Sequence, residues 1–167
     1  MCRMFCLTGN YSDDFDSIMK SFVEVTKNDP LITAKEGNFK SHDHGWGYVH
    51  HSDESINYFR SNMPVFNSTI SEFSYGNLII HARKAATGEP LGTMATHPHF
   101  ESDDQYEVYL AHNGWSNKSA IAKEMSVNNY TILLRSAPST TPLLTCMDSP
   151  WMQAMLPGTL FHPSPWP

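Results

Sequence analysis

The chain opens on an apolar run, Arg3-Met4-Phe5-Cys6-Leu7, which predicts a short buried strand almost at the N-terminus. The period then changes. Phe15, Ile18, Met19, Phe22 and Val23 recur at the three- and four-residue spacing of one helical face, with Asp13 and Asp14 placed to cap its start. Asn28-Asp29-Pro30 ends that helix, because proline disfavours helical backbone in the residue before it. Beyond this point the pattern is strand-like. Gly45-Trp46-Gly47-Tyr48-Val49 and Ile56-Asn57-Tyr58-Phe59 predict two strands joined through the polar turn Ser52-Asp53-Glu54. Tyr75 to His81 predicts another, centred on Leu78, Ile79 and Ile80. Glu107 to Ala111 predicts one more, running directly into His112-Asn113-Gly114-Trp115, and Ser119 to Met125 reads as the start of a helix. The order is a strand, a helix, then mostly strands, without internal repeats. It implies an α+β arrangement of sheet packed with helix, with polar motifs gathered at strand ends.

Composition changes this picture at one place. From Thr131 to Pro167 the only charged side chains are Arg135 and Asp148, and seven of the eleven prolines fall there. Residues 1–130 therefore read as one globular domain and 131–167 as an atypical Ser/Pro-rich tail. A length of 167 residues suits a single domain with a real core. The net charge of −6 gives no general attraction to nucleic acid or to an anionic membrane. No apolar run approaches the roughly 18 residues a membrane span needs. Met-Cys-Arg-Met-Phe-Cys lacks the basic and long apolar regions of a signal peptide. Three cysteines without a secretion signal argue against a disulfide framework, and a cytoplasmic protein is expected.

Several residues can carry chemistry. If Met1 is removed, Cys2 holds a thiol and a free α-amino group together. An α-amino group has a pKa of roughly 7.7–8.0, so it can serve as the base that converts its own thiol into the nucleophilic thiolate. A cysteine after methionine is equally well a buried strand-edge thiol. His81-Ala82-Arg83-Lys84-Ala85-Ala86-Thr87-Gly88 leaves a strand and carries a guanidinium into a loop of small residues. Arginine grips a carboxylate with two parallel bonds, although a surface pairing with one of the many acids explains it too. In His112-Asn113-Gly114, an amide side chain and a glycine N–H at a strand end can act as oxyanion donors; the same dipeptide is also a common hairpin turn. Gly45-Trp46-Gly47 reads as structural, a site where backbone and indole approach closely.

The order of these pieces is more specific than any one of them. Cys2, His44-Gly45-Trp46-Gly47, His81-Ala82-Arg83, Thr96-His97-Pro98 and Ala111-His112-Asn113-Gly114 together resemble the class II glutamine amidotransferases. The likeness is nearest to the small stand-alone branch whose chains open with Met-Cys-Arg, and it covers about residues 2–125. It implies the N-terminal-nucleophile hydrolase fold, an αββα four-layer sandwich of two antiparallel sheets between helices. It implies a glutamine or γ-glutamyl amide substrate, hydrolysed through a γ-glutamyl thioester on Cys2. Cys2 would be nucleophile and, through its amino group, base; Asn113 and Gly114 would form the oxyanion hole. Arg83 would bind the substrate's α-carboxylate, with His81 and Thr87 beside it, and Thr96-His97-Pro98 would cover the pocket. No cofactor or metal is implied, and a synthase subunit receiving ammonia is the partner that the resemblance suggests.

One anchor is missing from the pattern. The family places a Thr-Asp or Ser-Asp pair after His-Asn-Gly, whose carboxylate holds the substrate's α-ammonium. Here Thr131 is followed by Ile132, which cannot pair with a charge. The coincidence with the compositional change suggests a base lost near codon 132, which resequencing would test, and predicts a sandwich incomplete at its C-terminus. The competing reading from another class is a catalytically impaired γ-glutamyl-binding or partner-binding module. A metal site is a third: His42/His44, His50/His51 and His97/His99 have usable spacings, but no recognised ligand set completes them. A papain-like protease needs an internal cysteine and is disfavoured. Cys6 reads as core, and Cys146 receives no role.

Overall fold

The computed structural model describes residues 2–31, 41–104, 106–114 and 143–148. The first strand, β1 (Arg3–Asn10), is longer than the apolar run alone suggests. Its alternating side chains divide between two faces, Phe5 and Leu7 on one and Met4 on the other. Helix α1 (Phe15–Lys27) follows, and the predicted stripe is realised: Phe15, Met19 and Phe22 are buried, with Val23 packed beside them. The predicted aspartate cap is not. Asp14 makes no side-chain capping bond, and the Asp14 and Phe15 amides instead donate to the Tyr11 carbonyl at 3.2 and 2.9 Å. A backbone turn at Tyr11 thus holds the amides at the helix entrance, with Asp14 at the N-cap position but without a side-chain bond into the first turn.

Strands β2 (Trp46–His51) and β3 (Ile56–Ser61) form the expected hairpin. β4 (Tyr75–Ala82) lies between β1 and β2, giving a wholly antiparallel sheet in the order β1-β4-β2-β3. A second sheet contains β5 (His99–Ser102), β6 (Glu107–Asn113) and β7 (Leu143–Asp148). β5 pairs antiparallel with β6, whereas β7 runs parallel to β6, unlike the all-antiparallel sheet that the resemblance implies. β6 also extends through His112 and Asn113, so the His-Asn-Gly motif ends the strand rather than following it.

Helix α1 covers one face of the first sheet through Phe15, Met19 and Phe22 against Tyr48, Leu78 and Ile80. The other face meets the second sheet, where Val49 and Ile79 pack on Tyr109 and Ala111. The result is α+β, with three layers in the order helix, sheet, sheet among the described residues. A fourth layer is not among them. The helical start at Ser119–Met125, the Thr131-Ile132 pair and most of the 131–167 segment also lie outside the described residues.

Candidate active site

Strand register builds the first half of the site. Arg3 faces Ala82 across the β1–β4 ladder, so Cys2, one residue earlier, arrives beside Arg83, one residue later. The Cys2 Sγ lies 3.8 Å from the Lys84 carbonyl. The end of β6 supplies the second half: the Cys2 backbone N–H donates to Asn113 Oδ1 at 3.0 Å, across 111 residues of sequence. Gly114 follows at φ +147°, a conformation that glycine adopts readily and that side-chain-bearing residues rarely do. The chain start, the segment after β4 and the end of β6 therefore meet at Cys2.

A fourth segment locks this junction. The His44 amide donates to the Arg83 carbonyl at 3.1 Å and the Arg83 amide to the Gly45 carbonyl at 2.8 Å. The Ala85 amide donates to His44 Nδ1 at 3.0 Å, and Lys84 Nζ to Asp43 Oδ1 at 2.9 Å. The glycines of Gly45-Trp46-Gly47 are steric requirements, as their structural reading expects. A Cβ on Gly45, itself at φ +114°, would sit 2.5 Å from Thr96 Oγ1, and one on Gly47 2.5 Å from the His97 carbonyl. Thr96-His97-Pro98 thus packs on the start of β2, with a cis bond between His97 and Pro98.

Burial raises the pKa of the Cys2 thiol, and the Lys84 hydrogen bond and the nearby Arg83 charge only partly oppose it. The thiol is therefore protonated at neutral pH and needs a base to become a nucleophile. His44 is held below its ordinary value by burial and by the Lys84 charge, so its neutral ring can accept from Ala85.

The other predicted residues fall in different places. Arg83 is buried, and its Nη1 donates to the Pro90 carbonyl at 2.8 Å, tying the 83–90 loop to itself. Thr87 is exposed in the turn of that loop, which Gly88 completes at φ +84°. His81 is fully buried between the sheets, with Nε2 3.2 Å from His97 Nδ1 and no surface to offer a ligand in this arrangement. Burial pushes its pKa down to about 3. Cys6 is exposed and disulfide-bonded, so the expectation of a core thiol is corrected: it falls on the strand face opposite Phe5 and Leu7. Among the described residues, no group of three or more His, Cys, Asp or Glu side chains could hold a metal ion.

Sequence reasoning passed over a second cluster. Asp29, read only as part of a helix stop, is fully buried and takes Arg3 Nη2 at 2.8 Å, His42 Nε2 at 2.7 Å and the Leu31 amide at 2.8 Å. Arg3 Nε closes a second contact to it at 2.6 Å. Burial alone would raise the Asp29 pKa, but these donors outweigh it and hold the carboxyl below its usual range. The signal was an acid beside proline, followed by a histidine just before a buried strand.

A family model described as "Glutamine amidotransferases class-II" matches residues 4–131. Comparison with curated proteins and with solved structures returns no match.

Proposed function

The chain belongs to the class II glutamine amidotransferases, and from that premise we propose that Cys2 hydrolyses glutamine or a γ-glutamyl amide through a γ-glutamyl thioester. The observation that carries this reading is the 3.0 Å bond from the Cys2 nitrogen to Asn113 Oδ1, because it joins nucleophile and oxyanion candidate in one contact. With Met1 removed, that nitrogen becomes the α-amino group. It takes the proton of the buried thiol, and the sulfur attacks the side-chain amide carbon of the substrate. The carbonyl oxygen gains the negative charge, which Asn113 Nδ2 and the Gly114 N–H stabilise. The C–N bond then breaks, the amino group returns its proton, and ammonia leaves. Water next adds to the thioester carbon and releases a γ-carboxylate and the thiol.

Arg83 binds the α-carboxylate, exchanging its bond to the Pro90 carbonyl for a charge-assisted pair. Thr87 stands at the edge of the same loop, and His81 acts from behind by holding the sheet ends in place. The ammonia passes to water or to a synthase partner. The family match ends at residue 131, which supports a domain boundary near 130.

A second reading, binding of a γ-glutamyl group without turnover, rests on Ile132 where the family's ammonium-holding aspartate is expected. Ammonia release from glutamine and from γ-glutamyl amides, with mass detection of a quenched thioester at Cys2, decides between them. Ammonia with an adduct supports hydrolysis; tight binding with neither supports the binding module.

A further inference from the structure

Asp29 stands where two otherwise separate supports of Cys2 meet. One support is the chain itself, because Arg3 follows Cys2 directly and places both Nε and Nη2 on the Asp29 carboxylate. The other is the 42–45 segment. His42 binds Asp29 at 2.7 Å through Nε2, and its amide is fixed by the Thr26 carbonyl at 2.7 Å. The next residue, Asp43, holds Lys84, whose carbonyl faces the Cys2 sulfur, and His44 and Gly45 bind the backbone of Arg83. A single buried carboxylate thus ties the nucleophile's own strand to the segment that frames its sulfur and the guanidinium. The Nη2 hydrogen bond gives this tie a direction, and the Nε contact adds charge attraction at close range.

We propose that Asp29 is a positioning residue that, through Arg3 and His42, fixes Cys2 against the 83–85 segment. The proposal rests on the reading of Cys2 as nucleophile for its effect on turnover, but not for its effect on the placement of the thiol. A nucleophile displaced by about 1 Å loses up to roughly a hundredfold in rate even where its chemistry is intact.

The test compares Asp29→Asn and Asp29→Glu with wild type and with Val65→Ala, a buried control outside this network. Each protein is assayed, well below its melting temperature, for glutaminase kcat and KM and for the rate at which iodoacetamide alkylates Cys2, read on the Cys2 peptide. Asp29→Asn is expected to lower kcat by about 10- to 100-fold with KM moved far less. The loosened, normally part-buried thiol should at the same time alkylate at least about fivefold faster. Asp29→Glu should recover part of both effects, and Val65→Ala should move neither. Unchanged kcat and alkylation in folded Asp29→Asn overturn the proposal, as does an equal shift in Val65→Ala. If Asp29→Asn does not fold, Arg3→Lys, which keeps the charge but loses the guanidinium that reaches Asp29 through Nη2, is read in the same way. A wild-type chain that releases no ammonia sinks the nucleophile reading, while the alkylation rates still decide whether Asp29 places Cys2.

Discussion

The two faces of the first sheet are built from different materials. On the helix side, Tyr11, Phe15, Met19, Phe22, Trp46, Tyr48, Leu78 and Ile80 form a continuous apolar cluster. Its main polar accommodation is the Trp46 Nε1–H bond to Ser68 Oγ at 2.9 Å, the usual need of a buried indole. On the sheet side, the apolar contact among Val49, Ile79, Tyr109 and Ala111 is smaller. It soon gives way to imidazoles: His81 and His97, and His97 and His99, have ring centroids 4.5 Å apart. Cys2 lies two residues before Met4, in step with this second face. One face supplies most of the burial that holds the fold. The other spends part of its area on polar groups that a stable core does not need, and the candidate catalytic residues gather at its end. Stability and chemistry should therefore respond to different substitutions.

The largest expected separation is at Cys2. Cys2→Ala should reduce turnover by more than about a thousandfold while the melting temperature barely moves, since the residue lies at a strand end. Loss of stability in that variant would break the comparison. Asn113→Ala should lower kcat by about 10²–10³-fold with a much smaller change in KM, as expected of an oxyanion donor. Phe22→Ala should do the reverse. Urea unfolding should show a loss of about 3–5 kcal/mol, with kcat per folded molecule unchanged. Arg83→Lys should raise KM about tenfold or more, because a single ammonium cannot reproduce the planar two-point grip; an unaltered KM would remove Arg83 from the substrate site.

The smallest effect is the pH dependence of stability. Burial pushes His81 down to about 3 and His99 down to about 4, with the Arg60 and Arg83 charges lowering His99 further. Unfolded histidines titrate near 6.5, so between that value and the folded ones the unfolded chain binds protons that the folded chain refuses. Stability should be flat above about pH 6.5 and fall steadily below it. Asp29, whose folded value is depressed, adds its own loss only below the usual carboxylate range. Urea midpoints from pH 8 to 5 test this. A midpoint that rises on acidification would mean that the imidazoles are not held neutral.

The same contrast explains what the sequence disclosed. The helix face was legible, since Phe15, Met19 and Phe22 repeat at the period of one element and strands β2 to β4 alternate or run apolar between polar turns. The start of α1 was placed correctly, with Asp14 at the N-cap, but the sequence did not show that a backbone turn at Tyr11, rather than a side-chain cap bond, holds its entrance. β5 was missed because four residues behind a cis proline carry too little pattern. Cys2, Arg83 and Asn113 were singled out as candidates by the order of their motifs; the β1–β4 register sets Cys2 beside Arg83, and a hydrogen bond joins Cys2 to Asn113. The Arg3–Asp29–His42 cluster was not, because its members lie 26 and 13 residues apart and only the fold makes them neighbours. His81 illustrates the opposite limit: a strand-end histidine reads the same whether it faces a ligand or, as here, another ring.

The central claim is that the processed N-terminus at Cys2 is the nucleophile. Intact mass of the purified protein, before and after a glutamine-analogue electrophile, tests it most directly. The account predicts loss of the Met1 mass and one adduct on Cys2, with glutamine protecting. Retained Met1 in a protein that still releases ammonia, or an adduct on another residue, would contradict it.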